Sequence, residues 1–316
     1  MSMFAHVTNL RYWKSERADL TTCEDASRAD PQRGLFCVAD GAGSTLFSNI
    51  WAEILVEHFV RDPLTSIDPF EMDWWIRQAQ KRYRELSPQT DKLLWNARQK
   101  AVDQGAYATL ATLRFLRSDE QSATAELLAV GDSCVIIGQR EQERLITFPL
   151  QHAADFIRAP ACMPALLKNL NRNALAARQL EITLTPGASI ILATDAVAHW
   201  ILQGGTSGQE SRAWYAFQEI ASKQSASDWR AFIDNCRADQ SMVDDDSTAL
   251  LIHLAADGQE HERLGSAAGR SLGSLPRKES CVRPIRALGS ARCRIVNRMY
   301  LCYADRFVFL GVGPWY

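Results

Sequence analysis

The apolar run Leu35-Phe36-Cys37-Val38-Ala39 stops at a carboxylate, Asp40, and three small residues, Gly41-Ala42-Gly43, follow before a helical pattern begins at Thr45. Five apolar residues closed by turn chemistry read as a buried strand, so the chain presents one acid at a strand end. Gly41 and Gly43 let the backbone come close to whatever Asp40 holds, which makes the Gly41 carbonyl available as a second oxygen ligand. Alone, such a decapeptide is an ordinary strand-to-helix turn. It does not stand alone. Ser189 to Ala193 runs into Thr194-Asp195, Asp244-Asp245-Asp246 abuts the apolar strand Thr248 to Leu254, and Cys23-Glu24-Asp25-Ala26 lies about ten residues ahead of Leu35.

Acids placed this way constrain the chemistry. Asp25, Asp40, Asp195 and Asp245 each adjoin an apolar run, and burying four carboxylates together is prohibitive without cations between them. Their side chains are therefore expected in one cleft, with carboxyl pKa values raised by burial and mutual repulsion. Oxygen ligation with no matching His or Cys set points to Mg²⁺ or Mn²⁺ rather than structural zinc. Two such ions about 3.5–4 Å apart hold a water as hydroxide and clamp phosphate oxygens for in-line displacement, so the reaction expected is phosphoester hydrolysis.

The rest of the chain supplies the frame. Leu46, Phe47, Ile50, Trp51, Ile54, Leu55 and Phe59 recur at helical spacing until Pro63, with Ser44 as N-cap, and helices are predicted over 69–86 and 91–103. From Ala106 the period changes to two: strands are predicted over 107–115, 123–130, 134–138 and 144–148, an antiparallel meander broken at Gly131-Asp132. Residues 149–178 read as a surface excursion, with His152 in a possible flap, and 180–184 with 189–193 as a second hairpin about Pro186-Gly187. Helices over 212–220 and 227–236 follow. Antiparallel strands in two or more groups with helices inserted imply packed sheets covered by helices, not a parallel array.

Global properties exclude several function classes. The 316 residues are 47% hydrophobic, enough for a sizeable core, and a net charge of −2 gives no reason to expect nucleic acid or an anionic membrane as partner. Eight cysteines with no Cys-x-x-Cys pair read as reduced and structural, no stretch is long and apolar enough to span a membrane, and a cytoplasmic location is the default. Domain 1–257 is followed by 258–316, which holds ten Lys plus Arg against four Asp plus Glu and no sustained period beyond a strand or short helix about 300–310; it reads as a basic, poorly ordered tail, or as the product of an altered reading frame.

Glu24-Asp25, Val38-Ala39-Asp40-Gly41, Ala129-Val130-Gly131-Asp132-Ser133, Leu192-Ala193-Thr194-Asp195 and Asp245-Asp246-Ser247-Thr248 form an ordered series. This series resembles that of the PP2C-type, metal-dependent Ser/Thr protein phosphatases, and its wording is similar to a divergent bacterial branch. The resemblance covers roughly residues 5 to 256. It implies an α+β fold, a four-layer αββα sandwich of two antiparallel sheets with metals in a cleft at one end. It also implies that Asp40 bridges two Mn²⁺ or Mg²⁺ ions, that the Gly41 carbonyl serves the second, and that Asp195 and Asp245 ligate the first. Glu24 and Asp25 would hold metal-bound waters, and Asp132 with Asp195 a third, weaker ion.

Three departures accompany the likeness. Leu20 stands where many members carry a phosphate-receiving arginine, Ala42 where eukaryotic members have a histidine acid, and Ala196 where a glycine follows the aspartate. Proton donation would then fall to water or another residue such as His152, and the backbone at Asp195 would adjust, because Ala takes positive φ less readily than Gly. The reading is a phosphatase acting on phospho-Ser/Thr protein opposite a partner kinase; the alternative is a weak or non-catalytic phosphatase-like binding module.

Overall fold

The structure, a computed structural model, describes residues 3–15, 22–86, 94–119, 121–139, 145–170, 175–204, 212–223, 225–256, 283–286 and 292–297. In chain order its elements are β1 (Met3–Tyr12), β2 (Ala26–Asp30), β3 (Leu35–Ala39), α1 (Ser48–Arg61), α2 (Pro69–Glu85), α3 (Trp95–Asp103), β4 (Tyr107–Ala108), β5 (Leu110–Ser118), β6 (Ala123–Val130), β7 (Cys134–Gly138), β8 (Ile146–Phe148), β9 (Met163–Pro164), β10 (Arg178–Leu184), β11 (Ser189–Ala193), α4 (Asp195–Gln203), α5 (Arg212–Ser222), α6 (Ala226–Ala238), β12 (Ser247–Ala256), β13 (Arg283–Arg286) and β14 (Arg292–Asn297). None of the described helices is long and apolar enough to cross a membrane.

Two sheets form the centre. One runs β13-β14-β1-β12-β11-β7-β8, the other β10-β6-β5-β3-β2, and a two-stranded piece pairs β4 with β9. Every described strand pairing is antiparallel except β14 on β1. Both sheets are covered on both faces, which is why their inner strands are continuous apolar runs instead of alternating ones. On β3, Phe36 and Val38 face the other sheet, meeting Leu113, Leu127, Ile190, Leu192 and Leu250, while Leu35, Cys37 and Ala39 face α1 and α2 with Trp51, Leu55, Phe59 and Trp75. On the opposite side Ile136, Ile191 and Leu251 pack beneath α4, α5 and α6 through Val197, Ile201, Phe217 and Trp229. Three apolar layers thus separate four layers of secondary structure. This is the α+β, αββα sandwich.

Several local expectations change. The run 107–148 is not one meander: β5 and β6 pair in the second sheet, whereas β7 and β8 belong to the first. Gly131 has φ +97°, and a Cβ on it would lie 2.6 Å from Thr109 Cγ2, so this turn is built on glycine and hands the chain from one sheet to the other. The second hairpin fails for the same reason. β10 pairs with β6, β11 with β7 and β12, and Gly187 (φ +88°) donates to the Leu254 carbonyl at the crossing. Ser44 does not cap α1: that helix starts at Ser48 behind Phe47 in the left-handed region, and the Ser48 hydroxyl donates to Glu24 instead. α2 starts as its sequence demands, with Asp68 accepting from the Phe70 and Glu71 amides and Pro69 at the first position.

The stretch 258–316 lies outside the described residues apart from β13 and β14, which extend the first sheet beyond β1; the strand or helix expected about 300–310 lies outside them as well. We propose the boundary at 257 as a working one. Apart from β13 and β14, both sheets, their helices and all three apolar layers come from residues before it. A chain ending at 257 is therefore expected to keep a single cooperative urea transition followed by circular dichroism. Insoluble protein or a broadened transition would show that the boundary is misplaced.

Candidate metal centre

Register brings the acids together. Ala26 pairs with Ala39, so one step further Asp25 faces Asp40 across β2 and β3. Ala193 pairs with Ala249 and with Cys134, so the continuing chain sets Asp195 beside the starts of β12 and β7, next to Asp132. Tyr12 pairs with Ser247, which carries Lys14 alongside Asp245. The two sheets therefore deliver their acids at one end of the sandwich.

The turn after β3 is held tightly. The Thr109 amide donates to the Asp40 carbonyl at 2.8 Å, the Ala42 amide to Tyr107 at 2.9 Å and the Gly41 amide to Glu24 at 3.2 Å. A Cβ on Gly41 would meet the Glu24 carbonyl and the Ser48 backbone at 2.8 Å, so only glycine permits this approach of three segments. Asp195 opens α4, and the Ala196 amide donates to its Oδ1 at 2.6 Å. Ala196 is helical. Its φ is not positive, so the backbone there makes no demand for glycine.

Burial and mutual charge dominate the electrostatics. Asp25 is 1% exposed and Asp132 7%, and each has an oxygen, Oδ1, with no hydrogen-bond partner among the described residues. Burial, then the charge of Asp246, pushes the Asp25 carboxyl well above its ordinary range, against a hydrogen bond from Thr194. Burial and the charges of Asp195, Asp25, Asp132 and Asp245 do the same to Asp40. Asp195 is pushed up to about 7 by burial, then by Asp132 and Asp245, and Asp132 to about 6 by burial. Asp40 and Asp195 make no ion pair among the described residues.

Sequence reasoning missed the groups that hold these acids in place. Asp246, 3% exposed, accepts from the Lys14 amide at 2.8 Å and the Glu24 amide at 2.7 Å. The Thr194 hydroxyl donates to Asp25 Oδ2 at 2.8 Å while accepting from the Thr248 amide at 3.1 Å. Arg11 donates to the Asp25 carbonyl and, at 3.2 Å, to Glu53 on α1; Arg237 on α6 donates to the carbonyls of Asp245 (2.5 Å) and Trp13 (2.9 Å). Asp246 was signalled by its own motif. So was Thr194, within Leu192-Ala193-Thr194-Asp195; Arg11 and Arg237 were not. Leu20 lies outside the described residues, and His152 is exposed, its amide donating to Asp155 at 3.0 Å.

The donor set fits divalent cations. Two buried carboxylate oxygens lack partners among the described residues, the side chains offered by the acids present only oxygen, and the cluster holds raised carboxyls that a cation would discharge. As they stand, no three His, Cys, Asp or Glu side chains among the described residues are grouped closely enough to hold an ion. Asp195 accepts from the Ala196 amide, and Asp245 from the Asp246 amide at 2.9 Å.

A family model for protein phosphatase 2C matches residues 14–234, more than half of the chain. The chain belongs to the protein phosphatase 2C family. All five motif blocks lie at the acid-lined end, four of them within the matched residues. Among solved structures, PppA, described as a key regulatory component of T6SS in Pseudomonas aeruginosa, is 16% identical, covering 79% of this chain and 98% of its own, with a TM-score of 0.48. The catalytic domain of the serine/threonine phosphatase PstP in complex with two manganese ions is 13% identical over 80% and 100%, also at 0.48. The Mycobacterium tuberculosis PstP/Ppp is 12% identical over 79% and 99%, at 0.46. No curated protein matches significantly.

The raised carboxyls fix the sign of a pH effect. An unfolded carboxyl titrates near about 4, so between about 4 and about 7 the folded phosphatase 2C chain binds more protons than the unfolded one, and metal-free stability falls as pH rises through that window. Chelator-treated protein is expected to show a higher Tm at pH 5 than at pH 8 (roughly one unit either side of the shifted groups), with saturating Mg²⁺ removing the difference. A metal-free Tm that climbs over this interval would contradict the cluster.

Proposed function

We propose that this protein is an active two-metal protein phosphatase, hydrolysing phosphoserine and phosphothreonine on protein substrates. The partnerless Oδ1 atoms of Asp25 and Asp132, buried within a cluster of like charges, carry this reading. Such atoms are costly unless something binds them. Asp40, Asp195 and Asp245 would hold one ion, Asp40 and the Gly41 carbonyl the second, Glu24 and Asp25 would act through water, and Asp132 with Asp195 would hold a weaker third. When bound, the cations supply charge neutralisation for the phosphate and a lowered pKa for an attacking water.

The residues of this chain then have separable tasks. Asp40 joins the two halves of the site because the charges of Asp25, Asp132, Asp195 and Asp245 all bear on it. Thr194 and Asp246 fix the Glu24-Asp25 segment, so that the outer acids stay oriented when cations arrive. Ala42 offers no proton, so the leaving oxygen takes its proton from solvent. A cognate Ser/Thr kinase and a cytoplasmic setting complete the proposal; the latter is supported by the five free thiols Cys23, Cys37, Cys134, Cys162 and Cys236 among the described residues.

Turnover of p-nitrophenyl phosphate and of a phosphothreonine peptide is expected only with added Mn²⁺ or Mg²⁺, and EDTA should abolish it. Asp40→Asn should lower kcat/KM by at least about 100-fold while leaving Tm of the metal-free protein unchanged or raised, since one repelling charge is gone. Full activity in excess EDTA, or wild-type turnover in Asp40→Asn, would overturn the two-metal reading. A folded protein that binds metal but turns over neither substrate would favour the non-catalytic module.

A further inference from the structure

Away from the metal centre, the last turns of α1 and α2 enclose a cavity of about 380 Å³ lined by Arg61, Gln78, Lys81, Arg82, Glu85 and Leu86. On α2, Gln78, Lys81, Arg82 and Glu85 recur at helical spacing and so share one face, which borders the cavity together with Arg61 in the last turn of α1. α1 begins at Ser48, whose hydroxyl donates to Glu24, and its 14 residues carry Arg61 roughly 20 Å from that end. The cavity is separate from the cleft of acids.

Its cations differ from their neighbours in being uncommitted. Arg11 and Arg28 are held by Glu53 and Glu57, and Arg82 pairs with Glu57 at 2.5 Å. Lys81 has no hydrogen bond or ion pair among the described residues, and Arg61 bonds only the buried ring of His58, at 3.1 Å. The other His58 nitrogen lies 3.2 Å from the Trp75 carbonyl, which can only accept, so His58 donates there and Nδ1 receives the Arg61 N–H. Burial, then the charge of Arg61, lowers the His58 pKa and keeps the ring neutral. Arg61 is thereby oriented without losing its charge.

A basic residue in a last helical turn is explained by the helix dipole alone. Donors from two helices converging on one hollow are not. Apart from Glu85 and the apolar Leu86, the lining presents guanidinium, ammonium and amide N–H groups. A carboxylate offers such a lining two oxygens and one charge. Phosphate offers more of both, with a guanidinium fork meeting two oxygens and an ammonium a third.

We infer that this α1–α2 hollow is a second anion site, binding a phosphate group carried on a protein segment, with Arg61 and Lys81 taking its oxygens and Gln78 and Arg82 completing the shell. Apolar surface beside the donors favours a protein-borne phosphate over the free ion: Leu86 is 53% exposed, and a second cavity of about 310 Å³ shares Arg82 and Leu86 and continues to Ile50 and Ile54. Glu85 is the single acid in the lining of the hollow, so a phosphate held there is anchored and not hydrolysed.

The test uses the full chain, stripped of metal with a chelator and dialysed, so that the uncancelled acids of the cleft repel anions and the hollow is read alone. Calorimetry follows a leucine-flanked phosphothreonine peptide, its unphosphorylated counterpart and inorganic phosphate. The phosphopeptide should bind wild type at least about 10-fold more tightly than either of the others. Lys81→Gln should weaken it about 10-fold at unchanged Tm, since Lys81 is exposed, and Glu85→Gln should tighten it. Arg61→Gln repeats the comparison from the other helix. No phosphopeptide binding to the metal-free wild type, an affinity that survives Lys81→Gln unchanged, or equal binding of the unphosphorylated peptide would overturn the inference. Inorganic phosphate binding as tightly as the phosphopeptide would overturn the protein-borne occupant. Turnover plays no part in the readout, so failure of the phosphatase reading is distinguished from failure of this one.

Discussion

Repulsion among carboxylates gathered at one end of a β-sandwich governs the rest of this molecule. Asp25, Asp132 and Asp246 are buried there, with Asp40, Asp195 and Asp245 beside them. An isolated buried carboxylate costs several kcal/mol, and here several share one site. The chain tolerates the arrangement by aiming polar groups at it: the amides of Lys14 and Glu24 toward Asp246, that of Ala196 toward Asp195, and the Thr194 hydroxyl toward Asp25. What these donors leave unsatisfied is the capacity to bind cations.

The sandwich supplies the stiffness that such a site needs. Acids on flexible loops would separate; here Asp40, Asp132, Asp195 and Asp245 each follow or precede a strand paired on both sides, and Asp25 precedes the edge strand β2, so their backbones cannot retreat without breaking ladder hydrogen bonds. Arg11 ties Asp25 to α1 through Glu53, and Arg237 ties Asp245 to α6, so both helical layers are coupled to the cleft. Gly41 and Gly131 perform the local work, one by allowing three backbones to meet and the other by carrying the chain between sheets beside Asp132. Packing and site are one construction.

Much of this was legible in the sequence, for identifiable reasons. β3, β6, β7, β11 and β12 are buried on both faces, and continuous apolar runs announce them. β1 and β2 were not announced, because Ala-His-Val-Thr-Asn-Leu-Arg and Ala-Ser-Arg-Ala-Asp interleave polar residues with few large apolar ones. α4 escaped because it begins at the acid that ends β11, leaving no turn between the two elements. Sheet membership was illegible: a tight turn with glycine looks the same whether it closes a hairpin or crosses between sheets. The acids were legible as strand terminators. Arg11 and Arg237 were not, since nothing in the surrounding sequence ties them to the acids whose backbone they hold.

Anomalous diffraction from crystals soaked in Mn²⁺ tests the central claim most directly, since it locates the ions independently of any turnover. Two peaks about 3.5–4 Å apart, both touching Asp40, with Asp195 and Asp245 turned inward onto one of them, are the predicted result. A cleft without anomalous density at saturating Mn²⁺, its acids still directed to the backbone amides, would contradict it.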